Sequence, residues 1–212
     1  MDHPDPRQTY DRIATHFAAT REYPWPEVEG FVADREAAAL GLDVGCGNAR
    51  HAEVLDTVAQ RVLALDVSRG LLETARERRT TRGFDAHLLQ ADAAHLPVRP
   101  DRVGLAVYVA TLHHLHPRTT RVASLDELAR VLAPTGRALV GVWSTTHDRF
   151  DATTGFDTTV DWTLPDGETV PRYYHIYDPD EFAADLEASD LLVHERFESS
   201  GNGYAVVGPP ET

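Results

Sequence analysis

Short, continuous apolar runs alternate with stretches of helical patterning along most of this chain, and that alternation limits the fold more than any single residue does. Uninterrupted apolar strands are buried on both faces, which is the condition of a parallel sheet covered by helices. The pattern predicts helices over 5–19 and 27–39, separated by REYPWPE, whose two prolines forbid a continuous helix. Strands are expected at 41–44, 61–67, 85–92, 103–110 and 137–143. Helices fall between them at 50–59, from the N-cap Ser68 to Thr81, and at 119–132, the last ended by Pro134 and Gly136. A stretch from 144 to 177, rich in Thr, Asp, Gly and aromatics, precedes a helix from Pro179 to Ala188. Two final strands flank Ser200-Gly201-Asn202-Gly203 and form an antiparallel pair. At 212 residues this is one compact domain with a core large enough for an enzyme.

Charge narrows the setting. All 20 basic residues are Arg, with no Lys, against 34 acids, giving a formal charge of -14. That surface fits a cytoplasm of very high salt, where hydrated carboxylates keep a protein in solution; a GC-rich genome explains the Arg but not the acid excess. Acidity ordinarily counts against nucleic-acid partners. At molar salt the argument weakens, because the Debye length falls to about 3 Å and close Arg contacts and stacking carry the binding. No run of eighteen apolar residues is present, and MDHPDPRQTY has neither a basic nor an apolar leader segment, so the expected location is cytoplasmic with no membrane contact. Cys46 is a lone cysteine. It forms no internal disulfide and is expected to be a small packing residue; no metal ligand set is expected in the chain, and structural zinc would come from a partner.

The chemistry begins at LDVGCGNAR, residues 42–50, a glycine-rich turn between the first strand and the next helix. Gly45 and Gly47 let the backbone approach a ligand closely. Position 50 is Arg rather than a third glycine, and Asp43 stands at the strand end, so a nicotinamide dinucleotide is disfavoured. Asp66 follows 21 residues after Gly45, at the end of the second strand, where a carboxylate accepts both ribose hydroxyls. Asp92, with Ala93, follows the third strand, placed to accept from an exocyclic amine. Sites at the carboxyl ends of three successive parallel strands describe a nucleoside pocket.

With these residues in place, the sequence resembles the class I S-adenosylmethionine-dependent methyltransferases, LDVGCGNAR, LALDVS and QADAAHLP standing as their successive cofactor motifs. The resemblance implies an α/β, doubly wound, seven-stranded sheet of order 3-2-1-4-5-7-6 with strand 7 antiparallel and N-terminal helices. It implies S-adenosylmethionine as cofactor, with Asp43, Gly45, Gly47, Asp66, Asp92 and Ala93 as its contacts. Residues 1–212 then form a single methyltransferase domain, with 1–39 as a helical lid and 144–177 as a substrate-side insertion. Ala49 stands where the family often has glycine, which suits a negative backbone φ.

Four further blocks, YDRIATHFAATREYPWP, ATLHHLHPRTTR, LDELARVLAPTGRALVGVW and PRYYHIY, are similar to the tRNA wobble-uridine carboxymethyl methyltransferases. That likeness implies methylation of the carboxylate of 5-carboxymethyluridine in the tRNA anticodon loop, giving the methyl ester. A carboxylate with a pKa near ~4 is already ionised and needs orientation rather than a general base. Arg21 and Arg172 supply fork-shaped donors, and His113 or His114 sits where acceptors bind in this fold. Trp25, Tyr173 and Tyr174 offer stacking faces, although Trp25 also suits a packing role, one of the two histidines is expected to be buried, and alternation sends one of the two tyrosines into the core. His51, His116 and His147 read as surface residues. Two other classes stay open: a methyltransferase for a small-molecule acceptor, and a cofactor-binding subunit without catalysis.

The implied sheet order leaves the third strand at an edge without proline or lysine. Members of the resembled family depend on a small zinc-binding activator protein, so such a partner is expected along 85–91, covering the apolar surface near Phe84 and Leu88.

Overall fold

The computed structural model describes residues 3–210; residues 1–2 and 211–212, the ends of the expected domain, lie outside it. A seven-stranded sheet runs in the order β3-β2-β1-β4-β5-β9-β8. Its strands are β1 (Gly41–Val44), β2 (Val62–Asp66), β3 (His87–Gln90), β4 (Val103–Val109), β5 (Leu132–Trp143), β8 (Leu192–Ser199) and β9 (Asn202–Gly208). The first five are parallel, and β9 lies antiparallel between β5 and β8. This is the order the resemblance implied, with the last two strands renumbered because a separate antiparallel pair, β6 (Phe156–Thr163) and β7 (Thr169–Ile176), precedes them.

Six helices accompany the strands: α1 (Pro6–Ala19), α2 (Pro26–Ala33), α3 (Arg50–Leu55), α4 (Arg69–Arg82), α5 (Arg118–Val131) and α6 (Pro179–Glu187). Local chemistry sets their starts. Asp5 accepts from the Arg7 amide, Ser68 from the Leu71 amide, and Asp178 from the amides of Asp180 and Glu181. Helices cover both sheet faces. On one, Leu125, Leu128, Phe182 and Leu186 pack on Leu42, Tyr108 and Val140; on the other, Val28, Phe31, Leu55 and Leu72 pack on Ala64, Leu105 and Val107.

Several boundaries differ from the sequence expectation, each for a local reason. The second helix stops at Ala33 rather than 39, because the chain must turn to form a bridge between Ala38 and Ala59. The third stops at Leu55 rather than 59. Pro134 and Gly136 do not separate α5 from its strand; they sit in a bulge of β5, where the register with β4 jumps from Val103↔Leu132 to Leu105↔Arg137. The stretch 144–177, expected as a substrate-side insertion, holds the β6–β7 pair. Ser200 and Gly201, both at positive φ, make the final hairpin turn. No helix among the described residues is long and apolar enough to cross a membrane.

Phe84 and Leu88 do not offer the open apolar surface expected of them. Phe84 is buried and Leu88 half-buried, both packed into the core that α4 covers, whereas alternation turns Leu89 outward at 40% exposure.

The α5–α6 contact is held by a buried carboxylate. Asp185 has no exposure; it is ion-paired with Arg118, 3.4 Å from the buried Arg121 guanidinium, and accepts from the Tyr177 hydroxyl at 2.9 Å. Asp185→Ala would leave the buried Arg121 with Glu181, 3.4 Å away, as its one remaining carboxylate, at a cost of about 3 kcal/mol. Urea denaturation should show that loss; a change below about 1 kcal/mol would mean that water or Glu181 replaces the partner.

Candidate active site

A cavity of about 640 Å³ opens at the carboxyl ends of β1, β2 and β4, within the ~300–1,000 Å³ of ordinary small-molecule sites. Gly45, Gly47, Asp66, Asp92 and Ala93 all line it. Gly45 has φ +69°, and a Cβ there would overlap the Thr111 side chain. Gly47, at φ +54°, has no neighbour in the direction a Cβ would take, so the position opens into free space. Ala49 also adopts a left-handed conformation, φ 62°, against the negative φ expected for it, and is fully buried. Its methyl is held in a strained turn at a cost of about 1 kcal/mol.

Asp66 ties the turns together. One carboxylate oxygen accepts from the Gly47 amide and the other from the Ser68 amide, each at 2.8 Å. A carboxylate has about four lone-pair sites, so two remain for a ribose diol in the cavity. Burial pushes the Asp66 pKa up to about 6. Asp92 is exposed and capped by the Ala94 amide at 2.9 Å. Asp43 is not on the cavity wall: it is buried under the glycine loop, its pKa pushed up to about 7 by burial. Its Oδ2 has no hydrogen-bond partner.

Beyond the glycine loop the wall is built from α1, the turn after β4 and β7. Arg21 lines the cavity, its guanidinium 4.8 Å from the Phe17 ring and 5.6 Å from Trp162. Arg172 lies one layer behind, buried, 5.0 Å from the same Trp162 ring and donating to the Tyr174 hydroxyl at 2.7 Å; its Nε has no partner. Neither guanidinium pairs with a carboxylate among the described residues.

The two histidines separate cleanly. His114 faces the cavity, its Nδ1 2.9 Å from the Tyr173 carbonyl and its Nε2 3.0 Å from the Tyr10 hydroxyl. A carbonyl only accepts, so Nδ1 carries the proton and Nε2 accepts from Tyr10. Burial pushes the His114 pKa down to about 4, so the ring is neutral at pH 7. His113, expected to act on the acceptor, is instead buried behind the wall. It is stacked 5.0 Å from Tyr174, with Nδ1 accepting from the Trp143 amide at 3.2 Å.

Both tyrosines are buried, contrary to simple alternation, because β7 is covered on each side. Tyr173 lines the cavity and Tyr174 packs between Arg172, His113 and Trp143. Trp25 is not at the cavity; it packs edge-on to His51 and Tyr204. His51 is buried rather than surface, and it lines the cavity together with the exposed His116.

Sequence reasoning missed four contributors. Tyr10 stands in the helical series Tyr10, Ile13, Ala14, Phe17, and its place on that inward face was a readable signal. Asn48, inside the glycine loop, donates to the Arg21 carbonyl at 2.8 Å and fixes the end of α1. Asp11 accepts from the Ser68 hydroxyl at 2.7 Å and the Gly70 amide at 2.8 Å, a long-range bond with no sequence signature. Trp162 lay in the stretch left without elements.

Comparison with known proteins agrees with this geometry. Residues 42–140 match a methyltransferase domain family. The chain is 35% identical over 137 residues to the Mus musculus tRNA (carboxymethyluridine(34)-5-O)-methyltransferase ALKBH8, covering 65% of this chain and 19% of that protein. It is 31% identical over 173 residues to the tRNA (carboxymethyluridine(34)-5-O)-methyltransferase of Saccharomyces cerevisiae, covering 78% of this chain and 58% of that one. The chain thus spans less than two thirds of either relative. Among solved structures, the CcbJ methyltransferase from Streptomyces caelestis superposes with a TM-score of 0.79 at 19% identity, over 98% of this chain and 100% of that one.

The fold is the class I methyltransferase fold. S-adenosylmethionine is its cofactor, and the open approach at Gly47, the free lone pairs of Asp66 and the exposed Asp92 fit its methionine, ribose and adenine parts. A further structure of this methyltransferase fold is that of the complex between the Haloferax volcanii Trm112 methyltransferase activator and the putative methyltransferase. It matches with a TM-score of 0.70 at 15% identity, over 98% of this chain and 99% of that one.

Asp66→Asn should weaken S-adenosylhomocysteine binding about 10- to 100-fold, the worth of hydrogen bonds to a charged acceptor. Ribose hydroxyls need the ionised carboxylate, so wild-type affinity should fall as pH drops through about 6, and the variant should lack that fall. Calorimetric titration between pH 5 and 8 checks both; a variant with an unchanged pH profile would place the titration elsewhere, Asp43 being the nearest alternative.

Proposed function

We propose that this chain is an S-adenosylmethionine-dependent methyltransferase that esterifies the carboxylate of 5-carboxymethyluridine at the wobble position of tRNA. The observation that carries the reading is the pair of guanidiniums, Arg21 and Arg172, converging on Trp162 without a carboxylate partner. A buried cation without a counter-ion is costly, and an incoming anion of matching shape offsets that cost. Arg7 and Arg50 line the same cavity, in a protein whose net charge is -14, and suit the flanking phosphates of an anticodon loop. The two relatives reported above carry this activity in their names.

Bound S-adenosylmethionine supplies an electrophilic methyl group on a sulfonium. The residues around it need only present one ionised oxygen in line with that methyl and keep water out. Arg21 holds the acceptor carboxylate from the cavity side, and Arg172 reinforces the field from behind Tyr174. His114 is neutral with Nε2 already occupied, and His113 is outside the cavity, so neither serves as a base. A carboxylate acceptor requires none. Residues 1–39 act as the lid, since Tyr10, Phe17 and Arg21 reach over the cavity, and 144–177 act as the substrate-side insertion through Arg172 and Tyr173. Tyr173 provides the stacking face for the base.

The same reading includes an activator. The edge of β3 is open, with Leu89 as its exposed apolar residue, and one solved structure of this fold was determined as a complex with the Trm112 methyltransferase activator. A small zinc-binding protein of that kind adds a strand to β3. The acid surface without lysine supports a high-salt cytoplasm as the working medium.

Nucleoside mass spectrometry of bulk tRNA from cells lacking the gene should show loss of the wobble methyl ester and accumulation of the free 5-carboxymethyl form. Unchanged nucleosides would favour a small-molecule acceptor. Arg21→Ala and Arg172→Gln should each lower kcat/KM about 10- to 100-fold, and Arg172→Gln should leave cofactor binding intact. Wild-type turnover by both would remove the guanidinium pair from the account. Leu89→Asp should prevent co-purification of the activator; an undiminished complex would move the partner off β3.

A further inference from the structure

Three residues outside the glycine loop and the arginine pair meet at the rim of the cavity. His3 precedes α1, His116 follows the 3-10 turn at Leu112–His114, and Asp157 stands on β6. Their nitrogen and carboxylate donor atoms all lie within 4.8 Å of one another. The His3 ring is 4.2 Å from the His116 ring and 4.5 Å from the Tyr173 ring, centroid to centroid. His116 and Asp157 are exposed. Tyr173 touches all three, its ring beside both imidazoles and its hydroxyl hydrogen-bonded to Asp157.

Two imidazoles and one carboxylate are a complete three-protein-ligand set for zinc or a similar divalent transition-metal ion, with a fourth position left for water. Tetrahedral bonds of about 2 Å place donor atoms about 3.3 Å apart, so small side-chain rotations close the remaining gap. The carboxylate is already oriented as metal ligands usually are. One oxygen of Asp157 accepts from the Tyr173 hydroxyl and from His175 Nδ1, both at 2.7 Å, which leaves the second oxygen free to ligate. Tyr173, His3 and His116 also line the cavity, so an ion here sits at its mouth.

We propose that His3, His116 and Asp157 bind a zinc-class divalent ion that clips the segment before α1 across the mouth of the cofactor cavity. The ion joins the N-terminal segment to the turn after β4 and to the β6–β7 hairpin, the last two already tied by the bond between His114 Nδ1 and the Tyr173 carbonyl. Metal occupancy therefore regulates entry to the site without joining the transfer chemistry. The proposal is independent of which acceptor the site takes.

Titration of the full chain with Co2+ and with Zn2+ tests it. One equivalent of Co2+ should give the visible d–d absorption of a tetrahedral site, and Zn2+ should displace it. His116→Ala and Asp157→Ala should each weaken binding by at least about 10-fold, with His3→Ala as a third variant outside any helix or strand. Circular dichroism melts matching wild type show that each variant is folded. Hydrogen exchange at residues 3–10 should slow when Zn2+ is added. Absence of a d–d band at stoichiometric Co2+, or an equal band in all three variants, would overturn the site. Binding without slower exchange at 3–10 would overturn the clip.

Discussion

One carboxylate holds the working end of this fold together. Asp66 ends β2, accepts from the Gly47 amide of the first loop and the Ser68 amide of the second, and so fixes the two turns against each other. Ser68 then donates through its hydroxyl to Asp11, which also accepts from the Gly70 amide and thereby pins α1 to the start of α4. The approach is close: a Cβ at Gly70 would lie 2.9 Å from that of Ala14. The glycine loop, the end of β2 and α1 are one connected hydrogen-bond system. Burial makes Asp66 harder to ionise, its pKa pushed up to about 6.

Across the cavity the electrostatics run the other way. Arg172 is buried with an unpartnered Nε, Arg21 is held beside it, and burial lowers the Arg21 pKa. Arg50 is pushed down to about 10, mainly by burial and then by Arg21. A protein with 14 excess negative charges has placed Arg7, Arg21 and Arg50 on the wall of one cavity and Arg172 one layer behind it, and neither Arg21 nor Arg172 has a carboxylate partner among the described residues. Burial keeps His114 neutral, and the nearby phenols are partnered, Tyr10 by His114 and Tyr173 by Asp157. Under the proposed function such a site takes an anion and has no proton to move. That combination suits methyl transfer to a carboxylate better than transfer to an amine or hydroxyl, each of which must lose a proton.

The parallel strands and the cofactor loops were legible because each rests on local pattern, buried strands being continuously apolar and acids standing at the ends of successive strands; the sheet order came with the family resemblance. What failed were judgements that depend on three-dimensional coverage. Trp25 looked like a stacking face but packs on His51 and Tyr204. His113 and His114 are adjacent and chemically alike, and only the path of the 3-10 turn decides which one meets the cavity. Phe84 and Leu88 turned inward under α4. Alternation misjudged Tyr173 and Tyr174 because β7 is covered on both faces. Ala49 could not be read as left-handed, since alanine carries no signal for a positive φ. Asp11 and Trp162 act across more than fifty residues of sequence and leave no local trace.

The central claim is that the arginine pair selects a carboxylate. The direct measurement is transfer of labelled methyl from S-adenosylmethionine to synthetic anticodon stem-loops, with the activator present, that differ only in the wobble substituent: 5-carboxymethyluridine, its amide, or unmodified uridine. Label should enter the carboxymethyl stem-loop alone and be released as methanol by mild alkali, as an ester requires. Equal labelling of the amide or of uridine, or label that survives alkali, would contradict the account.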